Sequence, residues 1–192
     1  MSTENKSKEI DNIHKKTFEC IGQFVVVFEN MVENMRYLLS RILKDNGLKE
    51  NDLFDILVSD TTAGPLLNHL NAFIKSQYSE ELSDKNNSDF MSKLSKDIIK
   101  AITLRNDIVH AHWYFAIESV SDTEYAYTLN ATRNRLRAHQ IENVHEDMSE
   151  SKLEEIKGDI IKINKISEAL VILSFNLGTK KKFDEPITFG IH

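Results

Sequence analysis

Near the middle of the chain, residues 104–115 read LRNDIVHAHWYF. The stretch opens with a helical pattern and closes with aromatic strand formers, and it sets Arg105, Asn106, His110 and His112 among apolar residues. These are side chains that handle protons and phosphate. An imidazole titrates near neutrality and can take or give a proton. A guanidinium can brace the charge that grows on phosphoryl oxygens through two parallel hydrogen bonds. Asn106 can orient either one. Asn106 and His110 are four apart and stack on one helix face. Arg105 and His110 are five apart, roughly 140° around an ideal helix, a gap that the long arginine stem can close, more easily if the helix distorts near His110. Attack on a phosphodiester is the chemistry that suits this set.

The same residues admit structural duties. Arg105 could pair with Glu29 or Glu33 inside the protein, and His110 could bond a helix-end carbonyl. His112 could add a donor to the cleft or simply sit at the helix–strand joint. Asp107, His110 and His112 are possible metal ligands by type, but no His-Glu-x-x-His or paired-cysteine spacing supports a metal, and none is expected. Trp113 and Phe115 read as core, and Tyr114 as a surface on which a base could stack. Arg133, Arg135 and Arg137, with His139, form the densest basic run. On a strand the three arginines would share a face and could guide a phosphate backbone; in a solvated connector they would do nothing specific. His69 reads as a structural histidine, and Lys180–Lys182 as part of a polar tail.

The elements that must position these groups are mostly helical. From Thr17 to Leu43, Phe18, Ile21, Val25, Phe28, Val32, Met35, Leu39 and Ile42 recur in steps of three and four, with Phe24, Met31 and Leu38 widening the stripe. That spacing predicts a long amphipathic helix, ending near Gly47, whose face serves as core or dimer seam. A short helix is expected over 50–59. Pro65 should start the next helix at its first position, and that helix runs into the polar loop SEELSDKNNS. Phe90, Leu94, Ile98, Ile102, Ile108 and Val109 predict a helix over about 88–111. WYFAIES and EYAYTLNATR, separated by VSDT, predict a β-hairpin over 113–132, which must pack on the helices or on a partner chain to be stable. Residues 133–148 carry no clean period and read as a connector. A capping box at Ser151 and Glu154 opens a last helix through Leu153, Ile156, Ile160, Ile163, Leu170 and Leu177, with Ser167 and Ser174 as small gaps and Gly178 as its stop. The expected fold is all-α: one domain over 1–192, a bundle of four to five helices with an inserted hairpin, and loosely ordered ends at 1–12 and 179–192.

Composition agrees. In 192 residues there are two prolines and six glycines, too few for a many-turned sandwich. The single Cys20 forms no internal disulfide, which suits a reducing, cytoplasmic compartment. The polar N-terminus lacks the apolar run of a signal peptide, and no apolar window is long enough to cross a membrane. A net charge of −6 argues against a protein that coats nucleic acid non-specifically. No P-loop, dinucleotide fingerprint or Ser-His-Asp arrangement is present.

Arg-Asn-Asp-Ile-Val-His, residues 105–110, resembles the R-x4–6-H motif of the HEPN superfamily, in which a polar residue, often Asn, follows the Arg. HEPN domains are small helical bundles with the motif late in an inner helix, so the setting is similar as well. The resemblance implies a metal-independent endoribonuclease without a cofactor, cleaving RNA by attack of its own 2′-hydroxyl. Arg105 would be the phosphate-stabilising group, His110 the general acid/base and Asn106 the orienting residue. It also implies a homodimer that faces two Arg–His sets across one cleft, which would supply both a base for the nucleophile and an acid for the leaving group; C₂ dimers are the commonest oligomers. Many such proteins are toxins or antiviral effectors, and an antitoxin or defence-system partner protein is then expected. Others have lost catalysis and act as RNA-binding or protein-interaction modules. In one toxin branch a Tyr two residues after the motif His is modified by a partner enzyme. Here His112 holds that position and Tyr114 is the nearest tyrosine, a departure from that branch.

Overall fold

A computed structural model of the chain describes residues 3–47, 58–121, 124–137, 140–147 and 150–178. Among them four α-helices dominate: α1 (Thr3–Asp45), α2 (Ala63–Gln77), α3 (Lys85–Val109) and α4 (Glu150–Gly178). Three antiparallel strands, β1 (His112–Ser121), β2 (Glu124–Arg137) and β3 (Gln140–Asp147), lie between α3 and α4 in the order β1-β2-β3. The expected helical class holds. No described helix is long and apolar enough to cross a membrane. Where the sequence suggests one domain, the chain groups into two compact units. One comprises Met1–Val26 and Leu104–Ile160, the other Val27–Thr103 and Ile161–His192.

α1 begins at Thr3, well ahead of the expected Thr17, and stops where expected. Gly47 adopts a positive φ of 98° and its amide bonds the Lys44 carbonyl, a left-handed stop that glycine takes without Cβ strain. The apolar stripe is real but turned. Phe24 is fully buried and Phe18 is 61% exposed, while Thr17 and Cys20 are buried in its place. Met31, Met35, Leu38 and Ile42 then continue the buried line, so the chain's own core uses most of the face that could have served as a dimer seam.

In the second unit Leu66, Leu70 and Ile74 of α2, Ile98 of α3, and Leu170 and Leu173 of α4 are buried with them. The small Ser167 leaves room for Asn34, whose amide donates to the Ser167 hydroxyl. Ser174, buried, bonds back to the Val171 carbonyl at 2.7 Å. Ser95 of α3 donates to Asn71 of α2 at 2.9 Å.

Local capping explains the boundaries. Asp84 accepts from the amides of Asn86 and Asn87, at 2.8 and 3.4 Å, and so starts α3 a few residues before the expected position. α2 starts at Ala63, which places Pro65 third rather than first in the helix, still within the turn whose amides have no helical acceptor. α4 begins at Glu150, so Ser151 lies in its first turn instead of capping it. The short helix expected over 50–59 falls almost wholly outside the described residues, Val58 being helical, and the tail 179–192 lies outside them too.

The expected hairpin is present as β1 and β2, and a third strand extends it to a three-stranded sheet. β1 pairs with β2 from His112 opposite Thr132 to Ser121 opposite Glu124. β2 runs on through Arg137, and the expected connector is its continuation plus β3, paired from Arg137 opposite Gln140 to Asn130 opposite Asp147. A third strand covers an edge that a hairpin would leave open.

Candidate functional site

α3 ends at Val109, and His110 is the first residue beyond it. The helical ladder persists one bond further, since the His110 amide donates to the Asn106 carbonyl at 3.2 Å. His110 therefore keeps its helical height while its side chain leaves the end of the helix. The Arg105 stem reaches along that end and puts Nη1 3.3 Å from His110 Nε2 and 3.4 Å from Asn106 Oδ1. The gap around the helix is closed by the length of the arginine and by the helix stopping before His110.

The contact carries chemical information. A guanidinium has donors only, so it bonds Nε2 only when that nitrogen holds its lone pair. Both contacts are at the long end of the hydrogen-bond range.

His110 is exposed, Arg105, Asn106 and Asp107 are half-buried, and Ile108 is buried. Glu29 and Glu33 are exposed, and Glu33 pairs with Arg36 one turn along α1.

The other candidates are placed by backbone position. His112 opens β1 opposite Thr132, and Tyr114, half-buried, stands opposite Asn130. Arg133, Arg135 and Arg137 alternate along β2 opposite Val144, Glu142 and Gln140. They belong to a paired strand, not to a solvated connector, and their alternation was its signal. The side chains of His112 and these three arginines lie outside the described residues.

Compared with models of protein families, with curated proteins and with solved structures, the chain has no match. The geometry of Arg105, Asn106 and His110 therefore carries the functional argument. Among the described residues no group of three or more His, Cys, Asp or Glu side chains is arranged to hold a metal ion.

A cleft of about 300 Å³ opens between α1 and α4, lined by Lys16, Glu19, Cys20 and Gln23 on one side and Leu153, Glu154 and Lys157 on the other. By sequence Cys20 shows only that no internal disulfide can form. Its thiol is buried, 3.8 Å from the Leu153 carbonyl oxygen. Burial pushes its pKa up, Lys157 opposes this and Glu154 adds to it. A thiol kept protonated is a packing group rather than a nucleophile.

Proposed function

We propose that the chain is a metal-independent endoribonuclease of the HEPN kind, which cleaves RNA by attack of the 2′-hydroxyl on the adjacent phosphodiester. The observation that supports it is the contact of Arg105 with His110 Nε2 at an exposed helix end, 3.3 Å apart. The guanidinium would brace the phosphoryl oxygens while Nε2 takes the 2′-hydroxyl proton. Their proximity keeps both groups within reach of a single phosphodiester. Asn106 Oδ1 steadies the guanidinium. A proton donor for the leaving 5′-oxygen is needed as well. A second copy of the chain across a two-fold axis would bring one, or the same chain could supply it.

The test is cleavage of a panel of structured and single-stranded RNAs by the purified protein, with His110→Ala alongside. Products ending in a 2′,3′-cyclic phosphate and a 5′-hydroxyl, lost in the variant, are the expected result. RNA binding without cleavage by the wild type would move the chain to a catalytically inactive binding module. The resemblance extends the proposal to a toxin or antiviral effector. Induced expression should then arrest bacterial growth, and the His110→Ala form should not.

A further inference from the structure

α4 carries apolar residues on two faces. Ile163, Ile166, Leu170, Leu173 and Leu177 form its buried line. On the side turned away from that line stand Ile161, Lys165, Glu168, Ile172 and Phe175, all within about 80° of one another at about 100° per residue. Ile161 and Phe175 are each 58% exposed and Ile172 is 39% exposed, while Glu168 is exposed and Lys165 half-buried. The steps between them are four, three, four and three. That is the spacing by which one helix lies along another. Single exposed apolar residues are ordinary, but three of five positions on one seam depart from the polar face that a solvated helix presents.

The order of the seam indicates what it meets. Ile161, Lys165, Glu168 and Ile172 run apolar, basic, acidic, apolar. Consider two copies of α4 laid antiparallel about a two-fold axis between Ile166 and Ser167. Ile161 then lies opposite the other copy's Ile172, and Lys165 opposite the other copy's Glu168. The axis repeats both pairings, so two apolar layers bracket two ion pairs, as an isologous contact requires. Among the described residues neither Lys165 nor Glu168 is engaged in an ion pair. A parallel arrangement sets lysine against lysine and glutamate against glutamate, which charge repulsion disfavours. A slip of one heptad in the antiparallel pair sets Lys165 against Phe175 and Glu168 against Ile172. Charge complementarity thus selects one partner, one direction and one register.

We propose that α4 pairs antiparallel with α4 of a second copy of this chain through Ile161, Lys165, Glu168 and Ile172, with Phe175 extending the seam at each end. The argument uses α4 alone and does not rest on the endoribonuclease reading. The symmetric part spans about 17 Å of helix. Four layers bury little surface beside a standard interface of about 800 Å² per partner, so the pairing is reversible and follows concentration.

The experiment traps the register in the full chain. Ile161→Cys and Ile172→Cys proteins are oxidised separately and as an equal mixture, with circular dichroism to verify folding and wild type as the control for Cys20. The mixture should give a cross-linked dimer holding one chain of each kind by mass. Each variant alone should give little, because the same residue on two antiparallel copies lies about 16 Å apart along the seam and a disulfide needs Cα atoms within about 7 Å. Sedimentation equilibrium supplies the second arm. Lys165→Glu and Glu168→Lys should each weaken self-association about tenfold, since each replaces two ion pairs by two like-charge contacts. The double variant should recover wild-type association, and the two single variants should associate when mixed. A wild type that stays monomeric at about millimolar concentration, with no cross-link in the mixture, would overturn the proposal and leave the face to a different partner. Cross-linking as readily in each cysteine variant alone as in the mixture would overturn the antiparallel register. A dimer that ignores both charge changes would place the contact on another face and also overturn it. If a cysteine variant does not fold, the charge variants decide the question.

Discussion

The contact between Arg105 and His110 can be probed as a cycle of four proteins: wild type, Arg105→Gln, His110→Ala and the double variant. Removing a positioned imidazole costs about 10²–10⁴ in rate. Removing one donor to the developing phosphoryl charge costs about 10²–10³. Independent effects would multiply to about 10⁴–10⁷. The 3.3 Å contact predicts otherwise, because groups that act as a unit on one transition state show strong non-additivity. The double variant should be no more than about tenfold slower than the slower single. Stability should hardly move. His110 is exposed, and surface changes stay within about 0.5 kcal/mol, which is a melting shift of about 1–2 °C for a chain of this length. Glutamine is chosen for Arg105 because the half-buried stem packs as well as carries charge. The assay is single-turnover RNA cleavage with excess protein, together with thermal melting of the same samples. Cleavage by His110→Ala within a few-fold of wild type, or melting lowered by more than about 5 °C in both singles, would refute the argument, the second by showing a structural pair.

Three further outcomes are expected. Cleavage should persist in excess EDTA, since proton transfer by His110 and charge bracing by Arg105 need no cation; loss with EDTA and recovery with Mg²⁺ would overturn the mechanism. Cys20, whose pKa is raised above its ordinary 9.0 by burial, stabilises the fold while pH is below that value, and the contribution is lost as pH rises through the higher folded-state value. Denaturant unfolding followed from pH 7 to 11 should therefore show a shallower alkaline fall in Cys20→Ala than in wild type. Tyr78, raised from 10.0 by burial and then by Asp45 and Glu81, acts in the same direction at higher pH, and Tyr78→Phe should flatten that part. Finally, Phe24→Ala should cost about 3–5 kcal/mol and Phe18→Ala less than about 1 kcal/mol, by chemical denaturation, because Phe24 is fully buried and Phe18 is 61% exposed. Equal costs would mean that the stripe faces the other way.

The helices were readable because their signals are repeated. Steps of three and four along α1 gave its existence and approximate end, and the stop at Gly47 followed from the one conformation glycine takes without strain. Its bearing was not readable. Phe18 and Phe24 are both apolar, and which one turns inward depends on tertiary packing that the local pattern does not name. The strands past Thr132 were missed for a related reason. Residues 133–148 have no clean apolar alternation, and strand formation there is decided by pairing of β3 with β2 rather than by intrinsic preference. The alternation of Arg133, Arg135 and Arg137 is the signal that the sequence carries for β2 there, and it fits a solvated connector as well. The cleft at Cys20 could not be anticipated, since its walls come from the two ends of the chain.

The contacts of Arg105 with Asn106 and His110 were legible in the sequence, because the residues are neighbours on one helix end. Five residues of helix, one arginine stem and the helix end before His110 are enough to bring Nη1 to Nε2. His145 is different. Its place in the row of His112 is set by two hydrogen-bonded ladders, and a slip of one residue in either would move it to the opposite face. Register is a property of the assembled sheet, chosen by which side can be buried. Only the folded chain could decide which residues stand opposite one another.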